Sequence, residues 1–163
     1  MTIDEVRSIV GRHVEEWNSN PNNRPLWVVM AKPGDQIQIP GITFGKSGDP
    51  KAGMHVQINA ELIVLNQAMV LESLLATFLH ELGHAKYKST DSETWNEVDS
   101  EVAAVIQSLC SLHDEGFPHV ARREAQALIE MSRDEPYLSA KLKIQEHPIW
   151  QHSLDIQPDE TNP

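Results

Sequence analysis

The chain is poor in cysteine, in positive charge and in long apolar runs, and each shortage excludes something. Its 163 residues include one cysteine, Cys110, so an intrachain disulfide is excluded and a reducing, cytoplasmic setting is the natural expectation. Lys and Arg number 13 against 24 Asp and Glu, for a formal net charge of -11. So acidic a surface argues against broad binding to a phosphate backbone, which needs clustered cations, and no nucleic-acid-reading motif is present. The longest apolar run, residues 69–79, is interrupted by Glu72, Ser73 and Thr77 and is too short to span a bilayer. The opening MTIDEVRSIV has no basic region ahead of an apolar core, so no signal peptide is expected. What remains is an ordinary globular mixture, 40% hydrophobic and 23% charged, long enough for one hydrophobic core. With no internal repeat and no linker, the expectation is a single domain over 1–150 and a flexible acidic tail over 151–163.

The hydrophobic pattern divides the chain into a mixed front half and a helical back half, an α+β arrangement. Thr2 and Glu5 form a capping box, and Ile3, Val6, Ile9, Val10, Val14 and Trp17 recur at helical spacing, so residues 3–18 are read as a helix. NSNPNNRP ends it as a loop. Leu26 to Met30 suits a strand, and Ile37, Ile39, Ile42 and Phe44, broken by Pro40-Gly41, suggest a short hairpin or an interrupted strand. GKSGDPKAG is a loop, and Met54, Val56 and Ile58 alternate with polar residues as in a half-buried strand. From about Ala60 the pattern is read as helical, with Leu71, Leu74, Leu75, Phe78 and Leu82 on one face. Thr94 and Glu97 suggest a second capping box before a face of Val98, Val102, Val105, Ile106 and Leu109. Gly116 then punctuates, Pro118 opens a helix over 118–133, and a further short helix is expected within 137–150.

The chemistry is concentrated in HELGH, residues 80–84. Residues four apart share a helical face, so His80 and His84 can present two imidazoles to one zinc ion. Glu81 stands beside the first of them, where a carboxylate can act as general base toward a water activated by that metal. Ordinary solvated histidines are the bland alternative. Against it, the motif ends a strongly apolar helix, so these histidines enter a core, where buried imidazoles need partners.

A catalytic zinc takes three protein ligands and keeps one position open. Asp91 is one candidate for the third, in a loop shortly after His84. A glycine and a ligand at the metzincin-like spacing are absent, because Tyr87 and Thr90 occupy those positions. Glu97 is the stronger candidate, since it opens the next helix and is followed one turn later by Glu101 on the same face. One of the two can bind the metal while the other accepts the free N–H of a ligating histidine, a role expected of Glu101. The competing readings are that Glu97 only completes a helix cap and that Glu101 is a solvated charge.

TFLHELGHA followed by EVDSEVAA resembles the gluzincin arrangement, and in particular the ImmA/IrrE-like metallopeptidases. Their pattern is a T-x-A-H-E-x-G-H helix and then a glutamate-rich E-x-E-A-N/D-x-F-A helix. Thr77, His80, Glu81, Gly83 and His84 match the first part. Glu97, Asp99 and Ala104 match the second, with Ser100 where alanine is usual and Glu101 where Asn or Asp is usual. The resemblance covers about residues 54–110. Leu79, Lys86 and the QSLCSL ending of the second helix depart from it. It implies a small α+β zincin-like fold, zinc as cofactor, Glu97 as third ligand, and cleavage of a peptide or protein substrate.

The expected function is therefore a zinc-dependent metallopeptidase. The alternatives are a zinc hydrolase acting on something other than peptides, or a non-catalytic regulatory protein that keeps the fold. Glu81 argues against the last, because a structural zinc site has no use for that carboxylate. Residues 53–59 are the natural edge strand for a docked peptide. Tyr87, His113, His119, Tyr137 and His147 are all available in principle as donors to a developing oxyanion, and none stands out. Cys110 reads as an inert core thiol.

Overall fold

A computed structural model describes residues 1–32, 34–39, 42–46, 54–57, 60–90, 96–131 and 134–158. The elements run α1 (Ile3–Asn18), β1 (Leu26–Ala31), β2 (Gln36–Ile39), β3 (Ile42–Lys46), β4 (Met54–Gln57), β5 (Glu61–Asn66), α2 (Leu71–Thr90), α3 (Glu97–Asp114), α4 (Pro118–Met131), α5 (Tyr137–Gln145) and α6 (Pro148–Leu154). The protein is α+β, as its sequence pattern predicts, with the strands confined to the front half. Two compact units divide at residues 81 and 82, within α2. Among the described residues no helix is long and apolar enough to cross a membrane.

The first unit is organised by β5. The sequence pattern placed Glu61–Asn66 in a helical stretch, and the structure corrects this: ELIVLN is the central strand, every residue of it buried. A short apolar run rich in branched side chains, covered on both faces, has no alternation to reveal it and looks like a buried helix segment. β1 pairs with it in parallel, Val28 opposite Ile63, and β4 pairs antiparallel, His55 opposite Ile63, giving the order β1-β5-β4. On one face Ala31, Leu62 and Val64 cluster with Val29 and Met54. β2 and β3 form a separate antiparallel pair with an irregularity between Ile37 and Gln38, so the hairpin reading holds, while Pro40-Gly41 lies outside the described residues.

α1 begins where the capping box predicts: Thr2 Oγ1 accepts the Glu5 N–H and the Glu5 carboxylate accepts the Thr2 N–H. Its apolar stripe buries Val6, Ile9 and Trp17, and the Trp17 indole N–H donates to the Arg24 carbonyl at 2.7 Å, tying the helix to the chain entering β1. β5 ends in a turn held by the Asn66 side chain, which accepts the Ala68 N–H, and α2 starts directly after it.

The second unit is helical. α3 packs against α4, α5 and α6, around a core that includes Leu109, Leu112, Val120, Ala125, Ile144 and Trp150. α3 stops in a tight cap at Gly116, which has φ +88: the Gly116 N–H donates to the His113 carbonyl and the Phe117 N–H to that of Leu112. The left-handed backbone there is what calls for glycine, and Pro118 then opens α4 without losing a needed donor. The stretch 137–150 holds two helices rather than one. α6 runs on to Leu154 with Ser153 buried, so Gln151–Leu154, expected in a mobile tail, are ordered helix. Residues 159–163 lie outside the described residues.

Candidate metal centre

α2 is one continuous helix through HELGH, so His80 and His84 lie one turn apart on the same rod, both half-buried. The neighbouring positions Phe78, Leu79 and Leu82 are fully buried, which anchors the helix and fixes where its histidine face points. Gly83 sits hard against α3: a Cβ there would lie 2.6 Å from the Ala104 Cα and 3.1 Å from the Gln107 Cβ. No larger residue permits that approach. The facing side of α3 is correspondingly small, with Ser100, Ala104, Ser108 and Ser111 all buried.

This close contact brings α3 to the histidines at its second turn. His80, His84 and Glu101 each offer one ligand atom, and these atoms lie within 4.8 Å of one another. His84 is held at both ring nitrogens. Its Nε2 is 3.1 Å from the Glu101 Oε1, and its Nδ1 is 2.7 Å from the Ser100 hydroxyl. The His84 and Glu101 side chains are 16% and 18% exposed, enclosed but reachable. Two imidazoles and one carboxylate are a donor set that zinc accepts, and tetrahedral ligands at about 2.0 Å stand roughly 3.3 Å apart, close to the 3.1 Å His84–Glu101 spacing. The residues present therefore fit a zinc ion.

Glu97, the expected third ligand, is not brought to this group. Its helix starts later than the sequence pattern suggests: Asn96, not Thr94, is the N-cap, its Oδ1 accepting the Asp99 N–H at 2.8 Å. Glu97 is then the first helical residue, exposed, one full turn before Glu101. Because the helix contact is set at Gly83 and Ala104, it is Glu101 that comes level with the histidines. Glu101, expected to accept from the non-ligating ring nitrogen of His80 or His84, meets His84 at Nε2. The other ring nitrogen, Nδ1, is met by Ser100, which sequence reasoning missed. Thr94 and Asp91 lie outside the described residues.

Glu81 follows His80 on α2, half-buried, and has no hydrogen bond or ion pair among the described residues. Of the possible oxyanion donors, Tyr87 lies one turn beyond His84. His113 bonds the Ser153 hydroxyl at 2.9 Å and stacks on His152, His147 caps α6, and Tyr137 is exposed at the start of α5. Cys110 is partly buried, and burial together with the Asp114 charge pushes its thiol up, in keeping with an unreactive thiol. Comparison with known proteins returns no matching family model, no matching curated protein and no matching solved structure.

Proposed function

We propose that the protein is a zinc-dependent peptidase of the HExxH type, in which His80, His84 and Glu101 hold the metal and Glu81 is the general base. The observation that carries this reading is the convergence of three ligand atoms from two helices, with Glu81 next to His80 on α2 and without a hydrogen bond or ion pair among the described residues. A zinc ion bound there supplies a Lewis acid and brings the pKa of attacking water toward neutrality. With zinc bound, Glu81 would take the proton from the attacking water and return it to the leaving amine. Glu101 replaces Glu97 as the third ligand, so the gluzincin-like reading is kept with the ligand one helical turn further along α3.

A peptide substrate is favoured over smaller molecules by the sheet. Among the described residues β4 pairs only with β5, so it is an edge strand with backbone groups to which an extended chain can add. The setting expected from the lone cysteine remains cytoplasmic. The test is elemental analysis of the purified protein followed by cleavage of a peptide library with and without a chelator. About one zinc per chain and chelator-sensitive cleavage are expected. A protein that takes up no zinc sinks the proposal. One that takes up zinc but hydrolyses only non-peptide substrates moves it to the wider hydrolase class.

A further inference from the structure

The geometry points to Ser100 as the residue that positions His84 for its metal, a role filled here by a neutral hydroxyl; this rests on the zinc reading above. An imidazole ligates through one nitrogen, and the partner of the other nitrogen decides which one that is. Ser100 Oγ stands 2.7 Å from His84 Nδ1, and Ser100 is 2% exposed, so the hydroxyl is held on the protein side of the ring. With Nδ1–H donating to the hydroxyl, the lone pair is at Nε2, the nitrogen that faces Glu101. Serine also suits the place sterically. It belongs to the small buried face of α3, on which Gly83 meets Ala104, and Ser100 and Glu101 are consecutive, so one turn of helix supplies both the ligand and the group that orients its neighbour.

A carboxylate in this position would add charge to the site. A hydroxyl fixes the ring without adding a further negative charge beside the metal, which favours a stronger Lewis acid. Ser100 is a positioning residue and need not touch substrate.

The experiment is zinc titration of the full chain against a competing chelator, for the wild type, Ser100→Ala, Ser100→Thr and Ser100→Val, with thermal melts to check folding. Threonine and valine occupy nearly the same space, so a difference between them reports the hydroxyl alone. Ser100→Ala and Ser100→Val should bind zinc about ten- to a hundredfold more weakly, and Ser100→Thr should stay close to the wild type. If the larger side chains do not fit, the ring ¹⁵N resonances of His84 give the same reading. The zinc-loaded wild type should show a protonated Nδ1, and Ser100→Ala should lose that preference. Equal affinities for the threonine and valine variants, or an unchanged His84 tautomer and affinity in Ser100→Ala, overturn the role of Ser100 and leave the zinc reading standing. A wild type that binds no zinc overturns both.

Discussion

Two of the histidine–glutamate contacts among the described residues stand in contrast. Between β4 and β5, His55 Nε2 lies 2.6 Å from Glu61 Oε2, and Gln57 donates to the other oxygen at 2.8 Å. Both side chains of that pair are 3% exposed. Between α2 and α3, His84 and Glu101 stand 3.1 Å apart and several times more exposed, with His80 joining them. In the sheet every carboxylate oxygen is taken and no room is left, so the pair holds strands together. Between the helices the donor atoms converge on a shared point. Residue type does not separate a closed ion pair from a candidate metal centre; enclosure and the number of converging donors do.

The sharpest way to break this comparison is to alter the group that only the second region has. Glu81→Gln keeps the shape of the side chain but cannot accept a proton. It should retain zinc and lose about a hundredfold to ten-thousandfold in hydrolytic rate, measured on the peptide that the wild type cleaves best. Full activity in this variant would leave the helix site without a general base and remove the functional half of the contrast.

Next in size is the choice between the two glutamates of α3. Glu101→Ala should weaken zinc binding by more than the roughly hundredfold that bounds the loss of an outer partner, because it removes the proposed ligand itself. Glu97→Ala, at an exposed first helical position, should leave zinc affinity essentially unchanged. Chelator competition on the two variants decides it, and the reverse order would restore Glu97 as the ligand.

That pair of variants also marks where the sequence was legible. HELGH and the capping box at Thr2 depend on local spacing alone, and local spacing is visible in one dimension. The Gly116 stop is equally local. The third member of the candidate site depends on where two helices touch, and that is set by Gly83 against a buried small-residue face of α3. The face is present in the sequence as Ser100, Ala104, Ser108 and Ser111, at spacings of four and three, but it is overshadowed by the apolar stripe of Val102, Val105, Ile106 and Leu109. β5 was missed for a different reason. A strand buried on both faces loses its alternation, and Glu61 at its head looks like a solvated residue until His55 and Gln57 are seen to cover it.

A smaller effect is expected from breaking the sheet pair. His55→Ala leaves the Glu61 carboxylate buried with Gln57 as its main remaining side-chain donor, which should cost on the order of 3 kcal/mol of stability in urea unfolding. Zinc affinity should not change. A variant as stable as the wild type would mean that the buried pair contributes nothing net, as replaced buried ion pairs sometimes do.

The smallest expected effect is on pH dependence. Burial alone would raise the Glu61 carboxyl, but hydrogen bonds from His55 and Gln57, with the charges of His55 and Arg24, outweigh it and hold the group below its ordinary value. A carboxyl depressed in the folded state stabilises the fold at every pH above its unfolded value, about 4.3, and loses that contribution as pH falls through the lower folded value. His113 acts in a higher window. Burial and the neighbouring His152 lower its pKa, against a weaker opposing pull from Asp114, so the folded protein resists protonating it. Stability tied to His113 therefore drains away as pH falls below about 6.5, where the unfolded ring takes up its proton first. Urea midpoints measured from pH 7 to pH 3 should show these as two successive losses. Glu61→Gln should flatten the lower limb and leave the upper one in place, while His113→Gln should do the reverse. If Glu61→Gln leaves the limb below pH 4.3 unchanged, the His55 pair is not holding a carboxylate in its charged form, and the sheet region loses its standing as the closed counterpart of the helix site.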